Sequence, residues 1–171
     1  PGSAVLVIIG SFPATHLPHI HGSVTSLRLF APALERQAHA VYIFAPTPRH
    51  AVDGPHVLRI PSLPFAFQPE MRVAAIYSAQ AHRLVRRANL DIVHSHDYKT
   101  NLLAYLLGKF EAVVPLSTVH GWTGHSPRER YLYYPLDQRI LARFPWVVAV
   151  SGEFKSVLVK RAARADRAPV L

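Results

Sequence analysis

Six consecutive positions carry side chains that can bond or titrate: His94, Ser95, His96, Asp97, Tyr98 and Lys99. A short apolar run, Ile92 and Val93, leads into them, and an apolar segment with Leu102, Leu103, Leu106 and Leu107 follows. Strand, polar cluster, helix is the order found where an open α/β sheet binds ligands, at the carboxyl ends of its strands. Asp97 or Thr100 could also simply cap the helix by satisfying its first free N–H groups. A cap needs one such residue and six stand together, so the cluster reads as a site. A second polar group, His120 to His125 with Trp122 inside it, follows another apolar run. A third set, His16, His19 and His21, lies in a loop after the first apolar run.

Several chemistries fall away. The chain has neither the G-x-G-x-x-G dinucleotide fingerprint nor the G-x-x-x-x-G-K-[ST] phosphate loop, and no G-x-S-x-G elbow. The absence of cysteine excludes disulfides, thiolate metal sites and a thiol nucleophile. His94, His96 and Asp97, with His16, His19, His21, His120 and His125, invite a metal reading. The binuclear hydrolase pattern is H-x-H-x-D-H, however, and here Asp97 follows His96 directly with Lys99 close behind. A cation beside a lysine is a poor site, so no metal is expected.

These residues must be positioned by elements that alternate along the chain. Ala4–Ile9 is a continuous apolar run of strand length, suited to a buried parallel strand. A loop from Gly10 to Gly22 follows, then a helix from Val24 through Leu27, Phe30, Ala31 and Leu34, with Pro32 predicting a kink or a late start. Ala40–Ala45 and Val57–Ile60 are strands. Pro61–Pro69 is a loop exposing Leu63, Phe65 and Phe67, and Met71–Ala88 a helix. After the focal strand and its helix to about Lys109 comes Ala112–Thr118, a strand in which Pro115 favours an early or marginal position. Ser126-Pro127-Arg128-Glu129 is a capping box opening a helix that Pro135 interrupts. Trp146–Val150 is the last strand and Ser151 caps the last helix, which reaches about Arg164. The expected class is α/β, a parallel sheet with helices on both faces, in one domain over residues 4–171. Pro1-Gly2-Ser3 reads as a cloning scar.

The balance of 19 Lys+Arg against 10 Asp+Glu gives a net charge of +9. That favours an anionic partner, although basic residues late in helices also complement the helix dipole. No basic–aromatic interleaving and no recognition helix stand out, so a nucleic-acid binder is a weaker alternative. Leu63, Phe65 and Phe67 beside Arg83, Arg86 and Arg87 suit a peripheral protein on an anionic bilayer, or else the two phenylalanines fold inward over the sheet. No run approaches the roughly 20 apolar residues of a membrane span.

Five segments in order carry a resemblance: Leu17–Leu27, Ala40–Pro46, Asp91–Tyr98, Ser117–Trp122 and Val147–Ser151. Together they are similar to the amino-terminal, Rossmann-like half of retaining GT-B glycosyltransferases, the group that includes glycolipid and polysaccharide mannosyl- and glucosyltransferases. The resemblance implies transfer of a sugar from a nucleoside-diphosphate sugar, which is substrate rather than cofactor, to a hydroxyl acceptor. It also implies a carboxy-terminal partner domain, absent from this chain, so that the chain alone is expected to be inactive. His120 matches the histidine that faces the donor sugar near its anomeric carbon; the alternative is a histidine bonded to a loop carbonyl. His21, Gly22 and Ser23 match the segment near the donor phosphates, with His21 standing where a Gly-Gly pair has its first glycine. Asp97 would hold the acceptor hydroxyl, with His96, Tyr98 and Lys99 beside it binding acceptor hydroxyl or phosphate. His94 is expected to point into the core or bond a neighbouring loop. Trp122 would be a platform for a sugar ring or a plug over the core. Ala38 stands where the family has a helix-ending glycine, at a cost of order 1 kcal/mol if that position is left-handed. An acceptor in lipid would put the enzyme on the cytoplasmic face of the membrane. A non-catalytic sugar- or phosphate-binding module is the competing reading.

Overall fold

Gly10 decides how far the first strand runs. In the computed structural model, β1 spans Ile8–Phe12, later than the apolar run suggests. A side chain at residue 10 would overlap Cδ1 of Leu90 and come within 3.1 Å of the Phe44 ring, so a glycine lets the strand pass its neighbours. Gly10 and Ser11 therefore belong to the strand and not to a loop, and Phe12 stacks on Phe44 with ring centroids 4.4 Å apart. The structure describes residues 6–13, 22–47, 56–65, 68–74, 79–122 and 126–161. His16, His19, His21, Phe67 and His125 lie outside them, as do the side chains of Ser23, Leu63 and Phe65.

Six strands form one sheet in the order β3-β2-β1-β6-β7-β8, where β2 is Ala40–Pro46, β3 Val57–Ile60, β6 Ile92–Ser95, β7 Val114–Val119 and β8 Trp146–Ala149. The pairs β1–β2, β2–β3 and β7–β8 run parallel, the α/β class expected. The chain divides into two compact units, residues 1–93 and 94–171.

In the first unit, Ile8 lies opposite Ala40 and Ile43 opposite Val57. Helix α1 (Gly22–Glu35) buries Val24 and Leu27. It starts before Val24 and passes through Pro32, whose carbonyl still accepts from the Arg36 N–H at 3.1 Å. It ends where Ala38 takes a left-handed φ of 63°. The sequence reading fails next: Pro61–Pro69 is not a loop, and no helix begins at Met71. β4 (Ser62–Phe65) and β5 (Gln68–Ala74) form an antiparallel two-stranded sheet, and α2 begins only at Ala79 and ends at Ala88. A two-stranded ribbon asks each strand for hydrogen bonds on one side only, so Pro64 and Pro69 are tolerated. Arg72 to Ala74, in the first part of the expected helix, pair across the ribbon instead, and Tyr77 lies outside the described residues.

In the second unit, α3 (Tyr98–Phe110) buries Leu103, Ala104 and Leu107, and α4 (Tyr134–Leu141) buries Ile140 and Leu141. On the β8 side, Pro115 precedes the first paired residue of β7, Leu116, which lies opposite Trp146. The capping box forms: Glu129 N–H donates to Ser126 Oγ at 3.1 Å, and Ser126 N–H to Glu129 Oε2 at 3.3 Å. The interruption expected at Pro135 takes the form of a π-helical turn, Glu129–Tyr133, before it. Tyr134 N–H donates to Glu129 O, five residues back, so the helix widens rather than breaks ahead of a residue with no N–H. Ser151 Oγ accepts the Phe154 N–H at 3.3 Å at the start of α5 (Gly152–Arg161).

Candidate functional site

β6 carries His94 and Ser95, and His96 is the first residue past its end. His120 stands in the same position after β7. The imidazoles form a file: His94 and His96 have centroids 4.2 Å apart, and His96 and His120 5.9 Å. Burial, aided by the charge of its neighbour His120, pushes His94 down to about 4. His96 lies well below the usual imidazole value for the same reasons, burial first, then His94 and His120. Burial lowers His120 too, against an opposing pull from Asp97. All three are therefore neutral at pH 7. His94 Nε2 is 2.8 Å from Thr118 Oγ1 on β7, a bond to a neighbouring strand that gives it a structural place. His120 Nε2 is buried and has no hydrogen-bond partner among the described residues.

Asp97 caps α3, the role the sequence reading set second. Its Oδ1 accepts from Lys99 N–H at 2.8 Å and Thr100 N–H at 3.2 Å, while the Thr100 hydroxyl lies 3.1 Å from Oδ2. Burial raises this carboxyl, and the bonds from Thr100 and Lys99 oppose the rise. Tyr98, the first residue of α3, stacks on Tyr133 at 5.7 Å and meets Tyr134 edge-on at 6.0 Å. Burial and then the charges of Glu129 and Asp97 push its phenol up to about 12, so it stays a neutral hydroxyl.

A cavity of about 290 Å³ opens at this point, with His96, Asp97, Tyr98, His120 and Trp122 in its wall. Five of the expected residues are thus brought together. Lys99 is not in the wall; it is exposed, with Nζ 5.5 Å from the centre of the Tyr98 ring. Gly22 and Ser23 open α1 in the other compact unit. The wall also holds Asn101, Glu129, Tyr134 and Asp137, which the sequence did not single out. It contains three carboxylates and no lysine or arginine, in contrast to the +9 of the whole chain.

Two of the missed residues, Asn101 and Asp137, are the centre of a buried network. Asn101 Oδ1 accepts from Ser95 Oγ at 2.6 Å and Ser117 Oγ at 2.7 Å, and its Nδ2 donates to Asp137 Oδ1 at 2.7 Å. The other oxygen of Asp137 accepts the Trp122 indole N–H at 2.9 Å. Trp122 is therefore held as a fixed wall. The one available signal was Asn101 itself, the last polar residue before the apolar run that starts at Leu102; Asp137 had none. Chemically, the cavity offers neutral imidazoles, a phenol and carboxylates, groups that orient hydroxyls rather than bind phosphate.

Comparison with known proteins identifies the family and the fold. The chain is 32% identical over 129 residues to an alpha-monoglucosyldiacylglycerol synthase of Streptococcus pneumoniae, covering 74% of this chain and 28% of that protein. In fold it resembles sucrose-phosphate synthase from Thermosynechococcus elongatus, with a TM-score of 0.68 and 13% identity over 96% of this chain and 47% of that one. It also resembles the catalytic domain of starch synthase IV from Arabidopsis thaliana bound to ADP and acarbose, with a TM-score of 0.67 and 14% identity over 98% of this chain and 51% of that one. Residues 20–171 match the profile of Glycosyltransferase Family 4. With the strand order, the cavity at the strand ends and this match together, the chain belongs to glycosyltransferase family 4.

Proposed function

We propose that the chain is the acceptor-side part of a retaining enzyme that moves a sugar from a nucleoside-diphosphate sugar to a hydroxyl on a lipid or lipid-linked sugar. The carrying observation is His120 Nε2, a buried polar atom in a cavity wall with no partner among the described residues. A buried nitrogen left unsatisfied costs free energy, which a sugar hydroxyl bonded there would recover. Because burial keeps the ring neutral, its lone pair can face the positive charge that builds at the anomeric carbon without repelling it. Asp97, His96 and Tyr98 would receive the acceptor hydroxyl. The relative named for glucosyldiacylglycerol synthesis supports the lipid acceptor, and the ADP-bound starch synthase supports the nucleotide donor.

In this reading a second domain completes the donor site, since the chain spans 28% of the S. pneumoniae relative. The enzyme would work as a peripheral protein on the cytoplasmic face of a membrane. The test is His120→Ala in the longer enzyme that carries this chain. Turnover should fall more than about tenfold with the melting temperature nearly unchanged, because the loss is of transition-state stabilisation. Normal activity per folded molecule would show that His120 is structural.

A further inference from the structure

The segment from His120 to Trp122 is anchored at both ends. On one side, Val119 is the last residue of β7 and is paired with Ala149. On the other, the Trp122 indole is bonded to Asp137 Oδ2 at 2.9 Å. Between them Gly121 has φ +113°, and a Cβ there would lie 2.5 Å from Cζ of Phe154, so the turn has no room to relax. Asp137 is 3% exposed, and its first oxygen is fixed through Asn101 to the hydroxyls of Ser95 and Ser117 on β6 and β7. The tie thus runs from the two strands that present the histidines, through Asn101 and Asp137, back to the loop that carries His120.

From this geometry we infer that Asp137 is a positioning residue: its buried carboxylate, fixed by Asn101, grips the Trp122 indole and so sets the direction of His120. The inference rests on the proposed sugar transfer for its catalytic consequence. The residue type follows from the donors it faces. Asn101 Nδ2 and Trp122 Nε1 are both donors, so the group between them must accept at both ends. A carboxylate does this. An asparagine at 137 would turn an NH2 towards one donor and leave two buried N–H groups facing each other. The pattern can be restored by exchange. With aspartate at 101 and asparagine at 137, the new amide donates to residue 101 and accepts from the indole. Aspartate at 101 keeps an oxygen for the two serine hydroxyls.

The experiment compares Trp122→Phe, Asp137→Asn, and the exchange Asn101→Asp with Asp137→Asn, in the longer enzyme that carries this chain. Trp122→Phe keeps the ring and removes only the N–H. It should lower kcat about tenfold with KM for donor and acceptor within about twofold, and have no further effect when His120→Ala is already present. Asp137→Asn should do the same and speed hydrogen exchange of the Trp122 indole N–H, read by NMR. The double exchange should restore both kcat and indole protection. Full activity of the single variant Trp122→Phe, where His120→Ala alone slows the enzyme, would overturn the positioning role while leaving the functional reading intact. Loss of kcat that multiplies with His120→Ala, or no recovery in the folded double exchange, would also overturn it. If His120→Ala itself leaves turnover unchanged, the functional reading fails, and with it the catalytic consequence drawn here.

Discussion

At the scale of single residues, the site depends on keeping three imidazoles uncharged in a file. Each proton added to one raises the cost of the next, and burial sets the starting point. For His94 the native value is about 4 against 6.5 for the ordinary side chain. Between these values the unfolded chain binds a proton that the native state does not, so stability is lost as pH falls through that window. The raised carboxyls of Asp97 and Asp137 act in the opposite sense, losing stability as pH rises, so the raw melting curve mixes the two. A difference measurement separates them. At pH 7, His94→Gln should melt below the wild type, because the bond to Thr118 is disturbed. From pH 7 to pH 5 the wild type should lose stability faster than the variant, so the gap closes. A gap that stays constant would mean that His94 titrates normally.

Among the elements, the turns that end helices carry the strain. Ala38 after α1 has φ 63° and Asn89 after α2 has φ 47°. The Cβ crowds the backbone carbonyl in both, but asparagine can offset the cost by hydrogen-bonding locally and alanine cannot. Ala38→Gly should therefore stabilise the chain by about 1 kcal/mol, seen as a higher denaturant midpoint with an unchanged slope. Gly121 shows the reverse case. Its φ is +113° and Phe154 occupies the space a side chain would need, so Gly121→Ala should lower the midpoint and disturb His120 beside it. No change in midpoint would mean that Phe154 swings away freely. The ribbon of β4 and β5 shows why element type was misread here. Its two strands are held by pairing with each other across a hairpin, which the prolines in both strands conceal from a reading of residue type.

For the whole molecule, charge and site point in different directions. The chain carries +9, yet the cavity wall carries three carboxylates and no lysine or arginine. The positive charge thus serves the surface. On the π-helical turn and α4, Tyr131, Leu132 and Leu136 are 75%, 58% and 45% exposed, with Arg128, Arg130 and Arg139 exposed beside them. No helix among the described residues is long and apolar enough to cross a membrane. If this face meets an anionic bilayer, the chain should co-sediment with anionic vesicles more than with neutral ones, and more at low salt than at physiological salt. Tyr131→Ser with Leu132→Ser should reduce pelleting; equal pelleting with both lipids would favour a soluble acceptor. Under the proposed reading, in which a second domain completes the donor site, the purified 171-residue chain should transfer no sugar and bind nucleoside diphosphates weakly. Measurable turnover, or micromolar binding by calorimetry, would contradict this.

What the sequence determined by itself was whatever is encoded locally or by order. Apolar runs placed β2, β3 and β8 within a residue, because a buried parallel strand is largely apolar along its length, while β6 starts where expected but runs on through His94 and Ser95. Ser126 with Glu129, and Ser151, announced helix starts because a cap is a contact between neighbours in the chain. The order of five segments carried the family, and the departure at Ala38 foretold a left-handed residue. Tertiary structure alone decided which polar groups face one another. Asn101 and Asp137 are separated by 36 positions, and nothing near either announces the bond between them. Asp97 caps α3 through local contacts that the sequence offered as an alternative; that it also faces His120 and Tyr98 across one cavity came from the tertiary structure. The neutrality of the histidines was equally beyond local reading. It comes from burial and from the imidazoles lying within a few ångströms of each other, and both are set by the strands that bring residues 94, 96 and 120 together.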